Sequence, residues 1–170
     1  MSVYKIVAEQ PELSALREAA TSADVMAPAE SGWSVGMHLQ HCCLTMIGVC
    51  GVLIESVPPP PDRRFSLLTT LIFLAGRIPR GRAQAPEQVL PVAGVSADEL
   101  VSLLDESEHL LESARAARAD SWFRHFRFGV LDRDQTLKFI RIHNGHHARI
   151  VSDILAAEGA ETNPSIEVTG

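Results

Sequence analysis

Apolar residues recur along this chain at spacings of three and four, and no stretch alternates convincingly. That period belongs to helices packed by one face. Leu13, Leu16 and Ala20 predict a first helix over about 11–23, with Pro11 near its start, where a missing amide costs nothing. Ser34 is a suitable N-cap for a second helix running to about Glu55. Residues 65–76 predict a shorter helix. Ser96-Ala-Asp-Glu99 reads as a capping box opening a helix with the stripe Leu100, Leu103, Leu104, Leu111 and Ala114. A last helix follows Asp132 and runs to about Ala157, ending before Gly159. VPPPPD (57–62) interrupts any helix, and Pro79, Gly81, Pro86, Pro91 and Gly94 make 77–95 a long connection. No segment predicts a sheet. The expectation is an all-α fold: one domain over 1–170, a four-helix bundle with a long proline-rich crossover and a short extra helix.

Two apolar runs, CCLTMIGVCGVLI (42–54) and FSLLTTLIFLAG (65–76), are shorter than the roughly 20 residues that span a bilayer. Bundle helices are the expectation, and no membrane partner. The formal charge of −6 argues against a broad nucleic-acid surface. Cys42, Cys43 and Cys50 have no second cluster to pair with, and Cys43 and Cys50 lie two turns apart, too far for a disulfide. Buried free thiols are expected. With no charged leader followed by a cleavage site, the chain reads as reduced and cytoplasmic.

The histidines change the picture. At 100° per residue, Thr136, Ile140, His143, His147, Ile150, Val151 and Ile154 fall within one arc of roughly 100°. His143 and His147 thus stand one turn apart in an apolar stripe, with His146 at its edge. Such a pair can bind a metal through both rings, or form two core histidines with hydrogen-bond partners. On the second helix His41 shares a face with Thr45, Gly48 and Val52, small enough to admit a helix, a metal or a substrate. His38, about 60° away, is the reserve ligand. His109 stands opposite its helix's leucine stripe, so the di-iron-like Glu106-Ser-Glu-His109 points outward, and a di-iron site is rejected. His125 falls in a loop before the last helix. Arg63, Arg64, Arg77, Arg80 and Arg82 read as a solvated loop face, with an anionic ligand as the alternative.

Three segments resemble a known family. Trp33-Ser34, with His41 eight residues after the tryptophan, is similar to the start of helix two in the DinB/YfiT-like superfamily. His143-Asn-Gly-His-His147 resembles its last-helix His-x-x-x-His, and His125-Phe-Arg-Phe128-Gly129-Val-Leu131 resembles the lead-in of the DUF1569-type branch. The resemblance implies a four-helix bundle, often homodimeric, with one divalent ion (zinc, nickel or iron) on His41, His143 and His147. Some relatives are transferases or isomerases that use a low-molecular-weight thiol. Related sequences often carry glutamine where Ile150 stands, which implies different support for the site here. The expected function is a metal-dependent hydrolase or thiol-dependent transferase acting on a small molecule. His125, His146 and His38 are the nearby candidates for a general base, none preferred. The alternatives are a non-catalytic bundle whose metal or histidine cluster stabilises the fold or a dimer, and a small-molecule binding module.

Overall fold

The structure, a computed structural model, describes residues 10–57, 67–81 and 84–162. Pro58–Asp62 of the proline run, and Arg63, Arg64 and Arg82, lie outside the described residues. Among the described residues the fold is all-α apart from one small hairpin. Helix α1 spans Pro11–Ala19 and passes into a 3-10 turn, Ala20–Ser22; α2 spans Val35–Glu55 and α3 Leu67–Ala75. The crossover carries a 3-10 turn, Glu87–Val89, then α4 spans Ala97–Arg115 and α5 Arg133–Thr162.

The helix ends follow local chemistry. Ser34 Oγ accepts from the Met37 amide at 3.3 Å. Ser96 and Glu99 form the expected reciprocal capping box. Asp132 and Gln135 make a second reciprocal pair: Asp132 Oδ1 accepts from the Gln135 amide at 2.8 Å, and Gln135 Oε1 accepts from the Asp132 amide at 3.1 Å. Helix α5 continues through Gly159 instead of ending before it. Gly159 does not adopt the positive φ of a terminating glycine, and an interior glycine costs only about 1 kcal/mol against alanine.

Leu13 and Leu16 of α1, Leu39, Met46 and Leu53 of α2, Leu100, Leu104 and Leu111 of α4, and Ile140 and Ile154 of α5 are fully buried. Each such burial contributes about 1.5–3 kcal/mol, more than an exposed pair like Arg118–Asp120 can. Helix α2 packs chiefly on α4 and α5, and α1 on α5. By length and composition α2 could cross a membrane, yet its buried residues, His38 and His41 among them, form the middle of this core. Its entry is fixed by close approach: the Gly36 amide donates to the Ala23 carbonyl at 2.8 Å. A Cβ at Gly36 would stand 3.0 Å from both Cβ and O of Ala23.

The sheetless expectation needs correction. Trp122–His125 (β1) and Gly129–Asp132 (β2) pair antiparallel, with Trp122 opposite Asp132 and His125 opposite Gly129. Four-residue strands are too short to show alternation. What fixes the turn is chemistry: Gly129 has φ +75°, and His125 Nδ1 accepts from the amides of Arg127 (3.1 Å) and Phe128 (3.2 Å). His125 therefore ends a strand instead of lying in a loop.

Candidate metal centre

His41, His143 and His147 come together from α2 and α5. One ring nitrogen from each lies within 4.8 Å of the others, and all three residues are buried. The entry of α2 sets His41. The i, i+4 spacing on α5 stacks His143 and His147, with ring centroids 4.6 Å apart.

Hydrogen bonds on the far sides of two rings decide where their lone pairs point. His41 Nδ1 donates to the Val89 carbonyl at 2.7 Å, which leaves Nε2 as an acceptor in the neutral ring. That Nε2 stands 3.1 Å from His143 Nε2. His147 Nδ1 lies 2.9 Å from His38 Nδ1, and His38 Nε2 lies 2.9 Å from Ser31 Oγ. Ser31 Oγ also accepts from the Trp33 amide at 3.1 Å. If His147 donates to His38 and His38 donates to Ser31, both lone pairs of Ser31 are used and His147 Nε2 is left as a lone pair. The Trp33 ring packs over this group, 5.3 Å from His38 and 5.2 Å from His41, and lies parallel to His147.

Burial is the main cause of the ring basicities. It lowers His41 against the opposing pull of the Val89 carbonyl, and takes His143 down to about 3, helped by His41. His147 falls well below the ordinary value for the same reason, with His143, His41 and His38 adding to it. His38 is pushed down to about 4. The rings are therefore neutral near pH 7, the state that ligates metals.

A divalent ion fits this donor set. Two ligands on a tetrahedral zinc, with bonds of about 2.0–2.1 Å, stand roughly 3.3 Å apart. The 3.1 Å between His41 and His143 matches that, and the 4.8 Å limit on the whole group asks a contraction of at most about 1.5 Å.

A family model described as the DinB superfamily matches residues 6–151. The chain belongs to the DinB superfamily. No curated protein and no solved structure matches it. The matched stretch contains all three histidines that converge in this DinB-superfamily chain.

The other candidates separate cleanly. His38 backs His147 instead of joining the three. His109 is exposed, as is Glu106. His125 is held by its two turn amides and stacks on Phe128 at 4.3 Å; burial takes it down to about 4. Ile150 is buried in the apolar core. Gly48 and Val52, one and two turns beyond Thr45, are exposed, and a Cβ at Gly48 would meet nothing. Among the described residues, that part of the small face receives neither helix nor site. The three cysteines are buried and free, and burial pushes Cys43 and Cys50 up to about 12.

Sequence reasoning assigned no role to Ser31, Trp33 as a packing lid, or the Val89 carbonyl. The polar flank of α2 at His38 was the available signal for the first. A backbone carbonyl has no sequence signature at all.

Proposed function

We propose that this protein is a divalent-metal-dependent enzyme of the hydrolase or thiol-transferase type, acting on a small molecule in the cytoplasm, with His41, His143 and His147 as the ligands. The observation that carries this reading is the convergence of three buried, neutral imidazoles, with His41 and His147 turned by partners on their far side. When bound, an ion on three neutral ligands keeps its full charge and an open position, and supplies Lewis-acid activation of a water, thiol or carbonyl. The chain's own residues do the rest. Val89 and His38 orient two of the rings, Trp33 covers them, and the apolar flanks of α2 and α5 limit water. His146, half-buried and beside His147 with ring centroids 5.0 Å apart, is the nearest titratable side chain outside the set and its supporting network. A low-molecular-weight thiol is the proposed co-reactant in the transferase branch.

Elemental analysis of tag-free protein tests the reading. About one divalent ion per chain is expected, falling in His41→Ala, His143→Ala and His147→Ala. Fewer than about 0.2 ions per chain after loading with zinc, nickel or iron would overturn it. A cobalt-loaded sample whose spectrum shifts on adding glutathione, mycothiol or bacillithiol would favour the thiol branch over hydrolysis.

A second reading has its own support. The Ser31–His38–His147 and Val89–His41 contacts are the hydrogen bonds a non-catalytic, stabilising cluster would use. It predicts that metal raises thermal stability without any substrate turnover. The pairing of two copies implied by the resemblance has a surface available in α3, where Leu67, Leu68, Leu71 and Leu74 are all exposed.

A further inference from the structure

Beside the histidines lies a cleft of about 330 Å³, lined by Arg77, Ile78, Arg80, His146, Arg149, Ser152 and Asp153. Arg77 and Arg80 come from the crossover and Arg149 from α5, so the two elements face each other with three guanidinium groups. Arg80 is the only one of the three with an acidic partner among the described residues. It pairs with Asp153 and, at 3.6 Å, with Glu30. Arg77 and Arg149 have none among the described residues. The lining thus carries three positive charges against the single negative charge of Asp153, in a protein whose formal charge is −6.

Like charges gathered at a concave site repel, and the repulsion is relieved by an anion that accepts from more than one of them. His146 forms the wall nearest the metal candidates. It is hydrogen-bonded to the Ile78 carbonyl, and its ring centroid lies 5.0 Å from that of His147.

We propose that this cleft is an oxoanion subsite, in which Arg77 and Arg149 take the carboxylate or phosphate group of a small molecule. Arg80, already tied to Asp153 and Glu30, positions the crossover against α5 and closes one side. The subsite stands on the cleft alone. Its use as the anchor for a substrate reacting at the three histidines rests on the function proposed above. The substrate is then a small acid or phosphate ester whose anionic end sits one imidazole away from the reacting end.

The test is calorimetric titration of the metal-free full chain with inorganic phosphate and, separately, acetate, at ionic strength fixed with sodium chloride. Saturable binding with a midpoint on the order of millimolar is expected, and preference between the two probes assigns phosphate or carboxylate. Arg149→Gln and Arg77→Gln should each weaken it at least about tenfold, and Arg118→Gln, remote and exposed, should not. In anion-free buffer Arg149→Gln should melt higher than the parent, because a repulsion is gone, and should lose the rise in melting temperature that phosphate gives the parent. If chloride at equal ionic strength produces the same response, or the arginine variants keep phosphate binding, the proposal is overturned. Binding that needs zinc and survives Arg149→Gln places the anion on the metal and also overturns it. Zinc titration of the same variants is read separately: zinc failing while phosphate binds removes the metalloenzyme reading and leaves the subsite, and the converse removes only the subsite.

Discussion

His38 sits three residues before His41 on the same helix, yet the two rings do different work. His41 offers its Nε2 to the centre. His38 spends both nitrogens on neighbours, Ser31 on one side and His147 on the other. Such a backing partner fixes the tautomer and orientation of a ligand, and its loss typically lowers metal affinity by about 10–100-fold. His38→Ala is therefore expected to keep one ion per chain but weaken its binding by that factor, read by competition with a chromophoric chelator. His109→Ala, on the exposed face of α4, is the matched control. An unchanged affinity in His38→Ala would show that the Nδ1–Nδ1 contact has no role in ligation. At this scale the sequence was informative where helical geometry alone decides the answer. The 100° step singled out His143, His147 and His41, and set His38 on the flank. It could not show that the flank of α2 meets His147, because that contact depends on how two helices a hundred residues apart are packed.

Among the elements, α3 is the least committed to the core. Ile72 is buried while Leu67, Leu68, Leu71 and Leu74 stay exposed, Leu74 by 79%. Single exposed apolar residues are ordinary; four on a nine-residue helix form a patch that pairing would cover. Sedimentation should show a dimer that Leu71→Lys with Leu74→Lys converts to monomer without loss of helical signal. A parent chain that sediments as a monomer, or a double variant that remains dimeric, removes α3 as the interface. The main helices were legible because their stripes are long and their caps chemically explicit, as at Ser34 and Ser96. The β1–β2 hairpin was not, since its turn depends on a histidine ring accepting two amides and on the positive φ of Gly129. The end of α5 was misjudged for the opposite reason: glycine permits a stop but does not impose one.

For the molecule as a whole, the histidines make stability depend on pH. His38 and His125 are held at about 4 and His143 at about 3, while His41, His146 and His147 are also lowered, all mainly by burial. Below the ordinary value of 6.5 the unfolded chain takes up protons that these folded rings refuse. Stability is then present above about 6.5 and declines as pH falls toward 4. Urea unfolding of the metal-free protein should show a loss on the order of several kcal/mol between pH 7.5 and pH 5. A flat profile across that interval would mean the rings are far more hydrated than their burial indicates. The crossover has a different consequence for the whole. Its Val89 carbonyl receives the His41 ring, and its Val92 amide donates to Gln40 at 2.6 Å, so two successive residues of α2 grip the loop within one short stretch. Whatever restrains the His41 ring also restrains that stretch. Susceptibility of the crossover to limited proteolysis thus becomes a built-in gauge of occupancy at the three histidines. Insertions are best tolerated on either side of residues 87–92, where chain length can drift without turning the imidazole.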